Sequence, residues 1–278
     1  MRVVDPEKIT QAVAAMCVRA CRVLPADVRA ALDRALAEET HPAGREVLRQ
    51  LVENYRLAER EGLPLCQDTG LAVFFVEKGD AVRVPGGVAA AIEAGVRQGY
   101  AEGLLRKSSC HPLSRQNTGD NTPAVVHLEE VPGDGLRIAF MAKGGGSENM
   151  SRVTMLSPAQ GWEGIRRFVV ERVAEAGPNP CPPIVVGVGI GGSFELAARL
   201  SKQALLRPLD DTHPDAEIAA LEAELLQDIN ALGIGPMGLG GRTTALGVKI
   251  ALRPCHIASL PVAVNIQCHS ARHEEVVF

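Results

Sequence analysis

Aromatic residues are scarce in this sequence of 278 residues, and neither positive nor negative charges are in large excess. Only 3% of the residues are Phe, Trp or Tyr, so aromatic platforms that stack nucleic-acid bases are not expected. The formal net charge is −4 and no basic block is present, which argues against nucleic acid as a partner. No apolar run approaches the roughly 18 residues that a membrane-spanning helix needs. We therefore expect neither nucleic-acid binding nor a membrane span.

A secretory signal and a disulfide framework are not expected either. The N-terminus reads Met-Arg-Val-Val-Asp-Pro-Glu-Lys, which is charged and lacks the apolar core of a signal peptide, so a cytoplasmic protein is predicted. Seven cysteines, an odd number at wide spacings and without a C-x-x-C pair, favour metal binding or catalysis over disulfides. Cys17 and Cys21 stand four residues apart in a predicted helix, where they are expected to be small buried apolar side chains.

Hydrophobic periodicity predicts helices and strands in mixed order. The predicted helices cover residues 6–21, 25–39, 44–61, 88–106, 161–176, 193–206 and 216–232. The predicted strands cover residues 71–76, 124–128, 136–141, 184–190, 246–252 and 262–266. This order predicts the α/β (α+β) class, with β-sheets flanked by helices after a helical N-terminal region. One domain over residues 1–278 is the simplest organisation.

Three glycine-rich stretches could present backbone N–H groups to an anion, or could form plain tight turns. Residues 187–192 match G-x-G-x-x-G before a helix, which is typical of dinucleotide binding. Gly187 and Gly189 fall inside the apolar run, however, and not in a turn after it, so this interpretation is disfavoured. Residues 143–149 and 233–244 contain further glycine runs, the second with Arg242. Several such stretches in one chain favour a small anionic ligand.

Three cysteines each stand beside a predicted strand, where functional sites are commonly built. Cys66 precedes the strand at 71–76, Cys181 precedes the strand at 184–190, and Cys268 closes the last predicted strand. Three converging thiolates could hold a zinc ion or three irons of a cubane cluster. The wide separations match no short metal motif, so spacing alone favours buried structural thiols.

Six longer stretches resemble one family of enzymes, in the same order along the chain. They are residues 63–70 (LPLCQDTG), 115–124 (RQNTGDNTPA), 142–149 (AKGGGSEN), 181–193 (CPPIVVGVGIGGS), 238–245 (GLGGRTTA) and 253–264 (RPCHIASLPVAV). These stretches make the chain similar to the iron–sulfur hydro-lyases, a family that includes class I fumarate hydratase and the alpha subunit of L-tartrate dehydratase. The resemblance runs from about residue 6 to the end and implies a single catalytic domain of the class I fumarase type.

The resemblance implies a [4Fe–4S] cluster on three thiolates, those of Cys66, Cys181 and Cys268. The fourth iron has no protein ligand in the family and meets the substrate. This suits a dehydration, because hydroxide is a poor leaving group and an open iron acts as a Lewis acid toward it. Charge that develops on the neighbouring carboxylate must also be stabilised when the α-proton leaves.

The same resemblance implies that two polar residues and one arginine contact the substrate. Gln67 and Asp68, directly after the first cluster ligand, resemble residues that contact the substrate and the iron-bound hydroxyl. Arg106 resembles an arginine that binds a substrate carboxylate, which a guanidinium does with a bidentate fork. The ordinary alternative for Arg106 is a surface arginine at a helix end.

A glycine loop and a histidine complete the residues that the resemblance implies. Gly144, Gly145 and Gly146 resemble the loop whose backbone N–H groups bind a substrate carboxylate. His256 resembles a catalytic histidine paired with the aspartate, which is Asp68 in this sequence. The ordinary alternative for His256 is a core histidine bonded to the backbone.

The chain ends ten residues after Cys268, where single-chain members of the family continue into a smaller second domain. That domain supplies the catalytic base, a lysine and further arginines. The resemblance therefore implies a separate beta subunit, with the active site between the two chains and an α2β2 heterotetramer as the assembly.

The first functional hypothesis is a hydro-lyase subunit acting on a C4 dicarboxylate, with malate ⇌ fumarate plus water as the reaction. The alternative is dehydration of L-tartrate to oxaloacetate by an alpha subunit of the same type. A third interpretation is a non-catalytic scaffold that binds a cluster. The presence of Gln67, Asp68, Arg106 and His256 argues against it, because a scaffold needs no substrate-binding groups.

Overall fold

The structure is a computed structural model that describes all residues from Met1 to Phe278. Its eight α-helices are α1 (Pro6–Arg22), α2 (Ala26–Glu38), α3 (Pro42–Glu61), α4 (Val88–Glu102), α5 (Gly145–Glu148), α6 (Gly161–Ala176), α7 (Phe194–Ala204) and α8 (Ala216–Ala231). Its ten strands are β1 (Arg2–Val3), β2 (Leu71–Gly79), β3 (Val82–Arg83), β4 (Val125–Val131), β5 (Leu136–Lys143), β6 (Arg152–Leu156), β7 (Ile184–Gly191), β8 (Ala245–Arg253), β9 (Leu260–Gln267) and β10 (His273–Val277).

The contacts within the chain divide it into two compact units. The first unit comprises Met1–Pro25, Tyr55–Gly145 and Arg272–Phe278. The second unit comprises Ala26–Asn54 and Gly146–Ala271. The α/β (α+β) class with helix-flanked mixed sheets is confirmed, and one domain over residues 1–278 stays a prediction.

The first unit is built on a four-stranded sheet in the order β10-β5-β2-β4. Strand β2 runs parallel to β4 and antiparallel to β5, so β4 and β5 flank it without pairing to each other. Helices α1 and α4 pack against one another, and α1 contacts the sheet at β5. Phe74 and Phe140 are fully buried, with their ring centroids 5.1 Å apart. This core fixes the start of β2, which the Cys66–Gly70 segment precedes.

The second unit is built on a four-stranded sheet in the order β6-β9-β7-β8. Strand β7 runs parallel to β8 and antiparallel to β9. One face of β7 joins a core with α6 and α8 through Val186 and Val188, and helix α7 packs on the sheet at β7. A Cβ on Gly187 would lie 2.0 Å from Ser201 O, and one on Gly189 would lie 2.1 Å from Ala197 O. These two glycines therefore serve the close approach of α7 to β7.

The predicted helices and strands are present, but one helix is shorter than predicted and several short elements were not predicted. The predicted helix at 88–106 ends at Glu102, because the chain turns at Gly103 and Leu104 takes a left-handed φ of 52°. Strands β1, β3, β6 and β10 and the short helix α5 were not predicted. Cys268 therefore follows β9, which is not the last strand. His273 begins β10 and pairs with Met141 in β5.

A membrane span was not expected from the sequence. One stretch, Pro6–Glu38, is nevertheless long and apolar enough to cross a membrane by length and composition. Half of its most apolar window is buried inside the structure. Buried core helices of soluble proteins meet the same two criteria, so this stretch is weak evidence for a span.

Candidate active site

The Cys66–Gly70 segment lies directly before strand β2. Leu65 donates its N–H to Cys21 O at 2.8 Å, which ties the start of the segment to helix α1. Gly70 closes it with a left-handed φ of 77°, and a Cβ there would lie 2.8 Å from Lys143 N. Glycine is therefore required at this position for both its backbone conformation and its approach to β5.

The carboxylate of Asp68 is held by three donors within the first unit. Oδ2 accepts the N–H of Gly145 at 2.8 Å. Oδ1 accepts the N–H of Gly70 at 3.0 Å and the hydroxyl of Ser108 at 3.4 Å. The main-chain carbonyl of Asp68 accepts from Arg272 Nη1 at 2.6 Å. Asp68 and Gly145, two predicted site residues, thus lie in direct contact, and the carboxylate has a fixed orientation.

The backbone after Asp68 is fixed by buried hydroxyl groups. Tyr100 is fully buried, and its hydroxyl donates to Thr69 O at 2.9 Å. Burial raises the pKa of Tyr100 well above its usual value, so the phenol keeps the proton that it donates. The Thr69 hydroxyl donates to the carbonyl of Arg106 at 2.8 Å. The main chain of Arg106 therefore contacts the segment that carries Cys66, Gln67 and Asp68.

The side chains of Arg106 and Gln67 are exposed. Gln67 Oε1 lies 3.4 Å from the thiol of Cys66, and the N–H of Asp68 donates to Cys66 Sγ at 3.4 Å. An N–H aimed at sulfur suits a thiolate, because it stabilises the negative charge. Cys66 is half-buried and carries no disulfide.

Cys181 and Cys268 lie at one edge of the sheet in the second unit. Strands β7 and β9 are antiparallel neighbours with Val185 opposite Gln267, so the segment before β7, which contains Cys181, lies beside the segment after β9, which contains Cys268. The N–H of His269 donates to the carbonyl of Cys181 at 3.4 Å. Cys181 is exposed and Cys268 is half-buried. The fold thus brings these two predicted ligands to neighbouring loops.

The exposure of the three predicted cluster ligands suits metal binding, since each thiol can be reached by an incoming group. All three predicted ligands are reachable from solvent, whereas Cys17 and Cys21 are fully buried. Beside Cys268, the Gln267 side chain is 2% exposed, and neither its oxygen nor its nitrogen has a hydrogen-bond partner. Buried polar atoms without partners are uncommon and call for a group that satisfies them. No group of three His, Cys, Asp or Glu side chains is placed to hold a metal ion, so the assignment of these cysteines to one cluster stays a prediction.

The predicted glycine loop follows strand β5. Gly144 is buried, and a Cβ there would lie 3.3 Å from Asp68 Oδ2, so a side chain at this position would crowd the carboxylate. The N–H of Gly145 is occupied by Asp68, as described above. Gly146 is exposed and begins the part of α5 that belongs to the second unit.

His256 lies in the loop between β8 and β9, in the second unit. It is exposed, so its interpretation as a core histidine is wrong. Its Nδ1 accepts the N–H of Ala258 at 3.1 Å. The ring lines an apolar pocket of 420 Å³ together with Cys255 and Trp162. The pairing of His256 with Asp68 stays a prediction.

The loop at residues 233–244 is organised around a carboxylate of the chain itself. Glu39 is 3% exposed, and its Oε2 accepts the N–H of Arg242 at 2.8 Å. Its Oε1 accepts the N–H groups of Thr40 and His41 at 3.0 and 2.9 Å. Part of the anion-binding capacity that the glycines suggest is thus directed at Glu39.

Two residues that hold this site were not predicted from the sequence. Arg272 is 1% exposed and reaches Asp68 across 204 residues of chain. Asn121 is fully buried and contacts both Gly70 and the segment after Arg106. Asn121 lies in residues 115–124, one of the stretches that resemble the family, and only this resemblance could have pointed to it from the sequence. Nothing in the sequence pointed to Arg272, because a charged residue near the C-terminus is expected to be exposed to solvent.

Comparison with known proteins identifies the family. The family model described as fumarate hydratase (Fumerase) matches residues 10–277. The chain belongs to the Fumerase family. A protein of Methanocaldococcus jannaschii named "Putative L(+)-tartrate dehydratase subunit alpha" is 44% identical over 272 residues, which is 95% of each chain. L(+)-tartrate dehydratase subunit alpha of Escherichia coli is 35% identical and that of Shigella sonnei 34%, each covering 95% of this chain and 89% of the relative.

Membership of the Fumerase family confirms the resemblance and places the chain among hydro-lyases. The names of these relatives agree with the alternative hypothesis, tartrate dehydratase, better than with the first one, fumarate hydratase. Each of them is named as a subunit alpha.

Proposed function

We propose that the chain is the alpha subunit of an iron–sulfur L(+)-tartrate dehydratase, which removes water from tartrate to give oxaloacetate in the cytoplasm. The observation that carries this proposal is the similarity to tartrate dehydratase alpha subunits, at 34–44% identity over 95% of the chain. Identity at this level over nearly the full length is compatible with a shared reaction. The geometry around Asp68 supports a site for a hydroxy-acid.

The thiolates of Cys66, Cys181 and Cys268 are the proposed ligands of a [4Fe–4S] cluster. When bound, the cluster supplies an open iron that acts as a Lewis acid toward the hydroxyl group that leaves. The reachable thiols and the unsatisfied amide of Gln267 support this assignment. The buried pair Cys17 and Cys21 takes no part in it.

The proposed substrate groups of this chain lie along the Cys66–Gly70 segment and the segments that it contacts. Gln67 and Asp68 face the hydroxyl of the substrate, and Arg106 binds a carboxylate through its guanidinium fork. The N–H of Gly145 is shared between Asp68 and the substrate carboxylate in this proposal, because Asp68 already accepts it. His256 completes the catalytic set as a partner of Asp68.

A separate beta subunit is the proposed partner, as the name subunit alpha of the relatives indicates. The beta subunit supplies the catalytic base in this proposal, and the assembly is an α2β2 heterotetramer. Without that partner, the alpha chain should hold the cluster and turn over poorly.

Fumarate hydratase is the second candidate function. The description of the matching family model favours it. Tartrate differs from malate by one additional hydroxyl group, so one hydrogen-bonding residue can decide between the two substrates.

Side-by-side assays separate the two candidates. The chain is co-expressed with a beta-type partner under anaerobic conditions and assayed with L(+)-tartrate and malate. The proposal predicts a kcat/KM for tartrate at least about tenfold above that for malate, a ratio that one buried hydrogen bond can supply. A preference for malate would establish the second candidate. A holoenzyme with an intact cluster and no turnover of either substrate would overturn both.

A further inference from the structure

We propose that Asn121 is the positioning residue that holds the Arg106 segment in register with the Cys66–Gly70 segment. The proposal rests on the function above, because it gives Arg106 the substrate carboxylate and Gln67 and Asp68 the substrate hydroxyl. Asn121 touches neither group of the substrate and acts through the main chain of both segments.

One buried side chain makes all the contacts that define this role. Asn121 is 0% exposed. Its Oδ1 accepts the N–H of Ser108 at 2.6 Å and the N–H of Ser109 at 3.1 Å. Its Nδ2 donates to the carbonyl of Gly70 at 3.2 Å. A single amide group therefore joins the two residues that follow Lys107 to the last residue of the Cys66–Gly70 segment.

The chemistry at this position demands an amide. Two N–H groups require an acceptor and one carbonyl requires a donor, and Asn supplies both from one planar group. Asn121 also has a left-handed φ of 64°, a conformation that Asn tolerates better than most other side chains. Asp keeps the conformation and the acceptor, but when ionised it cannot donate to Gly70.

Two further contacts join the same segments in parallel. The Thr69 hydroxyl donates to Arg106 O at 2.8 Å, and the Ser108 hydroxyl donates to Asp68 Oδ1 at 3.4 Å. Each of these hydroxyl groups contributes one bond between the segments. Asn121 makes three bonds from a group whose orientation is fixed by burial, so it contributes most of the directional restraint.

The consequence for catalysis follows from the exposure of Arg106. Its side chain is exposed, so the direction of the guanidinium depends on where the main chain places it. Loosening residues 106–109 would displace the carboxylate-binding group relative to Gln67 and Asp68. A displacement of about 1 Å in such a group costs up to about 100-fold in rate.

Two substitutions at Asn121 and one control test the proposal in the full αβ enzyme. Asn121→Gly removes the amide and keeps the left-handed backbone, which avoids the strain that alanine would add. Asn121→Asp keeps the acceptor for Ser108 and Ser109 and removes the donor to Gly70. Asn117→Ala is the matched control, because Asn117 is an exposed asparagine of the same loop that donates to Lys107 O.

The first measurement is amide hydrogen exchange, which needs no substrate. In Asn121→Gly, exchange of the Ser108 and Ser109 N–H groups should rise at least about tenfold, because both lose their buried acceptor. In Asn121→Asp both should stay protected. Unchanged exchange in Asn121→Gly would overturn the proposal whatever the enzyme's substrate proves to be.

The second measurement is a double-mutant cycle with Arg106→Lys, using the kinetics of the preferred substrate. Asn121→Gly should lower kcat/KM by about 10- to 100-fold, mainly through KM, while cluster absorbance stays at the level of the parent enzyme. In the Arg106→Lys background the same change should cost less than about threefold, because the two residues act as a unit. Penalties that multiply in full would show that Asn121 does not act through Arg106.

The two proposals fail in different ways. If the assignment of the substrate is wrong, the parent enzyme turns over neither tartrate nor malate, but the exchange of Ser108 and Ser109 still responds to Asn121→Gly. If the role of Asn121 is wrong, the parent enzyme is active and the cycle is additive. Asn117→Ala should change kcat/KM by less than about twofold, as expected for an exposed side chain that does not contact Gly70.

Discussion

The loop at residues 233–244 should depend on the buried carboxylate of Glu39, and Glu39→Gln tests this with the smallest change of shape. Glu39 Oε2 accepts the N–H of Arg242 at 2.8 Å, while Oε1 accepts two N–H groups of its own segment, those of Thr40 and His41. Glutamine has only one acceptor oxygen. Whichever way the amide turns, at least one backbone N–H loses its partner.

The size of the effect follows from these bonds. A hydrogen bond to a charged group contributes about 1.5–3 kcal/mol, and the retained bonds weaken when the carboxylate becomes a neutral amide. The cheapest arrangement keeps Oε1 on Thr40 and His41 and sacrifices the bond to Arg242. We therefore expect Glu39→Gln to lower the free energy of unfolding by about 2–4 kcal/mol at pH 7. Glu38→Gln, at an exposed neighbour, should change it by less than about 0.5 kcal/mol.

The assay is urea unfolding of the full chain at several pH values. Burial raises the pKa of Glu39, but the backbone N–H donors outweigh it and the pKa is lowered overall. A carboxyl group with a lowered folded-state pKa stabilises the fold above its unfolded pKa, and this contribution is lost as the pH falls through the folded value. The difference between parent and Glu39→Gln should thus be largest near neutral pH and should shrink below about pH 4.5. A difference that is small at pH 7, or that grows on acidification, would refute the role of Glu39.

Two further predictions concern packing and the support of the site. Gly187→Ala should destabilise the chain by about 3 kcal/mol or more, because the new Cβ would lie 2.0 Å from Ser201 O. Gly135→Ala is the control, because it has open space around the new Cβ and should cost less than about 1 kcal/mol. Similar unfolding midpoints for the two variants would contradict the packing role of Gly187. Tyr100→Phe should lower the free energy of unfolding by about 1–2 kcal/mol in chemical denaturation, because it removes the buried hydroxyl that donates to Thr69 O. A loss below about 0.3 kcal/mol would show that this bond does not support the Cys66–Gly70 segment.

Elements with a strong apolar period could be predicted from the sequence, and elements held by distant partners could not. Helix α6 has the predicted bounds, because its apolar residues recur at helical spacing between two glycines. Strand β10 (His273–Val277) contains two glutamates and reads as a charged terminus. It forms because β5, more than 130 residues earlier, offers an unpaired edge. The sequence around His273 carries no local sign of that pairing.

The same distinction applies to the site. Cys66, Gln67 and Asp68 could be singled out because they occur as one dense polar stretch before a strand. The positions of Cys181 and Cys268 at one sheet edge follow from the antiparallel pairing of β7 and β9, which periodicity does not specify. The hydrogen bond from Arg272 to Asp68 O could not be predicted, because it depends on how strand β10 joins the sheet.

The central claim is that three particular cysteines hold an iron–sulfur cluster, and anaerobic iron analysis of single substitutions tests it most directly. The parent αβ enzyme should contain about four irons per alpha chain and absorb at roughly 400 nm. Cys66→Ser, Cys181→Ser and Cys268→Ser should each lose most of that iron and absorbance, while Cys255→Ser, at a thiol that is exposed like that of Cys181, should keep both. Full iron content in any one of the three variants, or its loss in Cys255→Ser, would contradict the assignment.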